Sequence, residues 1–323
     1  MHWLRMPLPF ALDHINLWLL EDEPGLTLID CGIASADTRA LWERLLAARR
    51  GVGRVLITHC HPDHAGNAGW LCKRTGAGLW ATQAEYLTAH AFRDAAAGYT
   101  TEALLALFRR NGLDGERHAM LSKLGNRYRV LVPEFPLSYR RYMDGERIAV
   151  GGRHWRALVG YGHAPEHASL YCEELKLVIS GDMLLPSIST NVSVWPVDPE
   201  GDPLRLFLDS IRRYRELPPD TLVLPSHGLP FRGAHARVAQ LEAHHEARLA
   251  ELVAACAGEA RSAADLLGVL FRRRLDMHQI FFAMGEAIAH LHYLRYSGRA
   301  RRDVGADGIV RYTPLAEPVC AGA

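Results

Sequence analysis

Within six residues, His59-Cys60-His61-Pro62-Asp63-His64 sets out three imidazoles and a carboxylate. Nothing else in the chain restricts its fold and chemistry as tightly. The cluster follows Arg54–Thr58, a short β-branched and apolar run that reads as a buried strand. It therefore lies on a loop at the strand's C-terminal edge. His-x-His on an extended loop places both rings on one side, where they can reach one ion. Asp63 and His64 turn onto the next helix and can face a second. Neutral imidazole and carboxylate are donors that suit zinc, iron or manganese. Solvated polar residues around a turn would explain one such histidine, but not this spacing.

Further ligand-capable residues stand directly after apolar strands, where the same sheet edge would gather them. His163 follows Leu158-Val159-Gly160-Tyr161-Gly162, Asp182 follows Val178-Ile179-Ser180-Gly181, and His227 follows Leu222-Val223-Leu224-Pro225-Ser226. Any one alone reads as a turn residue. Three in series after a His-rich cluster do not.

The rest of the chain supplies a strand-rich frame. His14–Leu20 and Leu26–Cys31 read as strands, the second ending in Asp30-Cys31-Gly32. Ala36–Arg50 has helical spacing, Ala65–Thr75 reads as a helix and Leu79–Ala81 as a strand. Residues 83–139 break the rhythm, with one helix over Gln83–Asn111, another over Glu116–Lys123 and a proline-bracketed loop at Val132–Pro136. They read as an insertion, used as a lid over a pocket; an extra packing helix pair is the plainer alternative. Strands resume at Arg147–Val150, Trp155–Gly160, Ser169–Cys172, Lys176–Ser180 and Thr221–Pro225, with an amphipathic helix through Leu204, Phe207, Leu208, Ile211 and Tyr214. From about residue 233 the pattern turns helical. One long helix carries Val238, Leu241, His245, Leu249 and Leu252; Ser262 can cap a second over Ala263–Arg272; a third spans Met277–Tyr296 and stops at Ser297-Gly298. Arg301–Tyr312 then reads as a hairpin, and helix, helix and hairpin together suggest a winged helix. The adjacent His244 and His245 diverge on a helix and read as surface and packing residues.

Thirty-seven Lys+Arg against 36 Asp+Glu leave a formal charge of +1, which gives no global reason to expect nucleic acid or an anionic membrane as main partner. The six cysteines lack paired spacing and read as free thiols in a reducing compartment. No signal peptide and no long uninterrupted apolar run is apparent, so a cytoplasmic location and no membrane partner are expected.

Five segments together resemble the metallo-β-lactamase superfamily: Asp30 in LIDCG, HCHPDH at 59–64, His163 in GHAPEH, Asp182 in SGD and His227 in PSHG. The resemblance covers roughly residues 1–232. It implies an α/β (α+β) four-layer αββα sandwich, here a catalytic domain over 1–232 with the helical lid at 83–139, followed by a small winged-helix-like domain over 233–323. It further implies that His59, His61 and His163 hold one metal, that Asp63, His64 and His227 hold a second, and that Asp182 bridges them. Asp30 and His167 would support these ligands from behind. Two divalent ions, zinc first and iron or manganese next, would share a hydroxide that attacks a carbonyl, with Asp63 orienting or relaying the proton.

The substrate is an ester, thioester or lactone on this reading. Asp63 and Asp182 point to the glyoxalase II-like, lactonase-like and nuclease-like branches. The glutathione-binding pattern of glyoxalase II is not found, and the lactonase tyrosine beyond the bridging aspartate is missing from residues 183–191. The tail resembles the winged-helix extension of the lactamase-like protein 2 branch, with Arg299, Arg301 and Arg302 at the start of the wing and Asp303 and Asp307 nearby. The leading expectation is a hydrolase acting on a small-molecule acyl substrate. An endoribonuclease or phosphodiesterase of the same fold, with nucleic acid as the secondary partner, is the first alternative. A non-catalytic binding protein that kept the fold is the second, and a homodimer stays open.

Overall fold

Strict alternation sorts the side chains of the N-terminal strands onto two faces. In β2 (His14–Leu20), Leu17 and Leu19 belong to one apolar cluster, Trp18 and Leu20 to another. β3 (Leu26–Ile29) and β4 (Val52–Leu56) repeat the division, with Leu28 and Val55 on the first face and Ile29 and Leu56 on the second. A computed structural model describes residues 1–23, 25–48 and 51–315, with backbone alone for Leu124 and His278. Pro24, the helix end at Arg49 and Arg50, and the thiol of Cys320 lie outside the described residues.

Six strands form the first sheet in chain order: β1 (His2–Pro7), β2, β3, β4, β5 (Gly78–Ala81) and β6 (Arg140–Arg141). β1, β2 and β3 pair antiparallel; β3 to β6 pair parallel. The second sheet, in reverse order, holds β7 (Arg147–Val150), β8 (Arg153–Gly160), β9 (His167–Cys172), β10 (Leu177–Gly181), β11 (Leu222–Pro225) and β12 (Phe231–Arg232). Only β10 and β11 pair parallel there. Trp18, Leu20, Ile29 and Leu56 meet Val159, Leu170, Ile179 and Leu224 in the core between the sheets. The outer face of the first sheet is covered by α1 (Ala36–Ala48) through Trp42, by α3 (Ala68–Thr75) through Leu71 and by α4 (Gln83–Arg93) through Tyr86, with the one-turn α2 (Pro62–Ala65) before α3. On the second sheet, the Ser169 and Tyr214 hydroxyls meet at 2.5 Å, just past the end of α8 (Pro203–Arg212). The order helix, sheet, sheet, helix is the αββα sandwich expected from the sequence.

The division by contacts separates Met1–Ala96, Asn126–Thr190 and Asp209–Val238 from Ala97–Gly125, Asn191–Leu208 and Ala239–Ala323. The stretch 83–139 is thus shared between the two units. Its first helix is broken: α4 ends at Arg93 and α5 (Thr101–Arg110) begins after Ala95 at φ 50° and Gly98 at φ 84°. Left-handed residues cannot propagate a right-handed helix. α6 (Gly115–Leu121) and α7 (Arg127–Leu131) follow.

The second unit contains α5, α6, the greater part of α9 (Ala234–Ala255), α10 (Leu267–Leu270), α11 (Met277–Tyr296) and the antiparallel hairpin β13 (Ala300–Val304) and β14 (Val310–Pro314). The helix expected over Ala263–Arg272 is reduced to a 3-10 turn and the four residues of α10. Ser262 donates from both N–H and Oγ to the Asp265 carboxylate, bonding that closes on a single turn, and Phe271 is extended. α11 starts with a capping box, Asp276 with Gln279. His245 is buried, with Nδ1 3.1 Å from His290 Nε2, and burial pushes it down to about 3, whereas His244 is exposed. No described helix is long and apolar enough to cross a membrane.

Half-buried Glu286 on α11 leads to a pH prediction. Loss of hydration raises its carboxyl from 4.5 to about 7, against the opposing hydrogen bond from the Asn191 side-chain amide at 3.1 Å. A raised carboxyl keeps its proton in the folded chain where the unfolded chain has lost it. The native state then binds more protons, and stability falls as pH rises from about 4.5 to about 7. Denaturant unfolding at pH 5 and pH 8 should show a fall from this group of about 3 kcal/mol, which Glu286→Gln removes. Equal slopes for the two proteins would refute it.

Candidate metal centre

Strand direction brings the ligand-capable residues to one edge. β8, β10 and β11 run the same way, as do β3 and β4, and each ends at a loop that carries one or more of them. The sheets are joined at this edge by the Ala168 N–H donating to the Thr58 carbonyl at 2.9 Å.

Two donor sets result. One atom each of His59, His61, His163 and Asp182 lie within 4.8 Å of one another, and the same holds for Asp63, His64 and His227. His59 Nε2 stands 2.9 Å from His61 Nδ1 and 3.2 Å from His163 Nε2. Asp182 faces both sets. Its Oδ2 is 3.5 Å from His163 Nε2, and its Oδ1 is 3.5 Å from His64 Nε2 and 3.4 Å from His227 Nε2. Asp63 Oδ2 lies 3.4 Å from His227 Nε2 and 3.6 Å from His64 Nε2. All seven residues named from the sequence come together.

Asp30 and His167 touch this group from outside. The Asp30 carboxylate accepts the Thr58 N–H at 2.7 Å, the Thr58 hydroxyl at 2.9 Å and His64 Nδ1 at 2.8 Å, so His64 Nε2 is aimed inward. Asp30 itself sits at φ 64°, a conformation that aspartate tolerates better than most residues. His167 Nε2 accepts the Asp182 N–H at 3.0 Å. Gly181 makes that contact possible, because a Cβ there would lie 2.4 Å from His167 Nε2 and its φ is +54°.

Electrostatics divides the site. Burial, then the neighbouring His163, presses His61 down to about 3, and burial with His64 and His61 holds His59 well below the usual imidazole range. These rings are neutral and offer lone pairs. In the other set burial works against charge, yet the carboxylates win. Asp182, Asp63 and Asp30 raise His64 well above its ordinary value, and Asp182 with Asp63 raises His227 to about 10. Burial likewise opposes the charge on Asp63, but His64 and His227 pull it down to about 2.

The donors fit a divalent cation on one direct observation. His64 Nε2 and Asp182 Oδ1 are buried and have no hydrogen-bond partner among the described residues, although they face each other at 3.5 Å. No hydrogen bond joins them, and a divalent cation there would take the place of the His64 proton and satisfy both atoms. The His/Asp cluster is therefore able to bind metal.

Several supporting residues escaped sequence reasoning. His227 Nδ1 bonds the His14 carbonyl at 2.8 Å, and Asn16 Nδ2 donates to the carbonyls of Pro225 and Gly228 at 3.0 and 2.8 Å. An asparagine in the apolar run HINLWLL was the available signal, since a buried amide needs partners. Glu85, which accepts the N–H groups of Cys60 and Glu166, and Tyr128, which donates to the Cys60 carbonyl, gave no signal of that kind.

The family model described as metallo-beta-lactamase superfamily matches residues 11–227, and one described as metallo-beta-lactamase-like, C-terminal domain matches residues 249–315. A probable metallo-hydrolase, YqjP of Bacillus subtilis (strain 168), is 25% identical over 304 residues, covering 90% of this chain and 91% of that protein. The crystal structure of a beta-lactamase domain protein from Burkholderia ambifaria is 49% identical with a TM-score of 0.90, over 97% of this chain and 92% of the other. A metallo-beta-lactamase family protein from Thermus thermophilus is 31% identical with a TM-score of 0.83, over 97% and 98%.

Proposed function

The chain belongs to the metallo-beta-lactamase superfamily, and from that premise we propose that it is a hydrolase of small-molecule ester, thioester or lactone carbonyls that works with two divalent ions. The placement of Asp182 carries this reading: its two carboxylate oxygens face different donor sets, Oδ2 towards His163 and Oδ1 towards His64 and His227. His59, His61 and His163 would hold one ion, Asp63, His64 and His227 the other, and Asp182 both. When bound, such ions polarise a carbonyl and bring the pKa of a water from 15.7 towards about 7; zinc suits the donors, as do iron and manganese. Asp63 is a partly exposed member of the set and can take or pass on a proton at Oδ2. Asp30 keeps His64 in one tautomer and orientation, and His167 holds the peptide N–H of Asp182.

A carbonyl substrate is preferred to a polynucleotide because the arginines of the hairpin region have acidic partners. Arg299 pairs with Glu246 at 2.9 Å, Arg301 with Asp303 at 2.8 Å and Arg302 with Glu200 at 3.1 Å. Charges matched in this way add little to a polyanion-binding surface. Elemental analysis of the purified chain, followed by a panel of lactones, acyl thioesters and phosphodiesters, tests the reading. About two equivalents of a divalent metal and turnover of a carbonyl substrate are expected. A metal-free protein, or one that cleaves only bis(p-nitrophenyl) phosphate or RNA, would reject it.

A further inference from the structure

A carboxylate outside both donor sets ties two of the ligand loops together. Glu85, on α4, has no exposed surface. Its Oε2 accepts the N–H of Cys60 at 2.8 Å, and its Oε1 accepts the N–H of Glu166 at 2.7 Å. Cys60 lies between His59 and His61; Glu166 lies three residues after His163 and immediately before His167. One oxygen is therefore committed to each loop. The Cys60 carbonyl is held as well, by the Tyr128 hydroxyl donating at 2.6 Å from α7. Restraint also runs in the other direction. The Glu166 carboxylate accepts the Ala84 N–H at 2.9 Å in the first turn of α4, and the Glu166 carbonyl accepts the Thr82 hydroxyl at 2.9 Å.

We propose that Glu85 is a positioning residue that holds the His59–His61 loop and the His163 loop in one frame, so that it sets the affinity of the donor set formed by His59, His61, His163 and Asp182. The inference rests on the metal reading above. Its physical content is preorganisation. A metal site binds tightly when its donors already stand where the ion needs them, and residues behind the ligands typically change affinity by about 10- to 100-fold. Glu85 is selective in what it holds. The second set is oriented by other groups, His64 by Asp30 and His227 by the His14 carbonyl, whereas the Cys60 and Glu166 N–H groups that Glu85 accepts belong to peptides beside His59 and His61 and close after His163.

The test is a titration of the full-length chain, stripped with chelator, using Co2+ as the probe and its visible absorption in competition with a chelator of known affinity. The key variant is Glu85→Gln. Glutamine keeps the volume but turns one acceptor into an NH2, which then faces a backbone N–H. Wild type is expected to take up Co2+ in two steps. In Glu85→Gln one step should weaken by about 10- to 100-fold while the other keeps its affinity. Tyr128→Phe should weaken the same step by a smaller factor, and it carries the test if Glu85→Gln does not fold. Two unchanged steps in both variants would overturn the proposal. So would equal weakening of both steps with a lower melting temperature of the metal-free chain, the pattern of a purely structural role. A wild-type chain that binds no Co2+ would instead remove the metal reading on which the proposal stands.

Discussion

Asp182→Asn is expected to reduce hydrolysis by about a thousandfold and to leave no more than one ion on the protein. The substitution preserves volume and the N–H bond to His167, and removes only the charge and one acceptor oxygen. Both donor sets lose at once, because Oδ2 faces His163 while Oδ1 faces His64 and His227. Metal-supplied charge stabilisation of several kcal/mol corresponds to the rate factor given. Metal content by elemental analysis and kcat/KM on the best carbonyl substrate provide the measurement. A variant with two ions and wild-type turnover would show that Asp182 is not shared.

Trp42→Ala should destabilise the fold by about 3–5 kcal/mol. Trp42 is wholly buried in the cluster outside the first sheet, and its indole N–H donates to the Cys31 carbonyl at 2.8 Å. Truncation leaves a cavity and takes the shorter of two hydrogen bonds, from Trp42 and Asn67, away from the carbonyl next to Asp30, which in turn aims His64. A melting temperature lower by roughly 10 °C is expected for a unit of this size. A fall of less than about 3 °C would mean that the helix and sheet can collapse into the gap.

The donor atoms were readable from sequence because chemistry and spacing coincide there. Imidazoles and carboxylates that directly follow apolar strands must sit at strand ends, and parallel strands gather their ends at one edge. The interior strands were readable for a similar reason, since runs such as Leu177–Gly181 are buried throughout. Strand β1 was not. It is an edge strand whose only fully buried side chain is Met6, so HWLRMP carries little apolar signal. The break between α4 and α5 depends on left-handed backbone at Ala95 and Gly98, and only one of these is the residue type that announces it. Glu85 is the instructive miss. On an amphipathic helix a glutamate reads as a solvent-facing residue; here two backbone N–H groups from distant loops satisfy its carboxylate. Partners that are peptide groups leave no mark in the sequence. The arms holding His227 are hidden in the same way, because His14 contributes its carbonyl.

The bonds from β2 to the His227 loop have a temporal meaning. His14 and His227 are 213 residues apart, and the Asn16 N–H and side chain are bonded to Ser226, Pro225 and Gly228. During synthesis on the ribosome, β2 must wait until residue 228 of 323 has been made before all these partners exist. Contacts of such long range close late. A nascent chain stopped short of β11 would hold His59, His61, His163 and Asp182 but lack His227, so the second donor set is completed later in synthesis than the first.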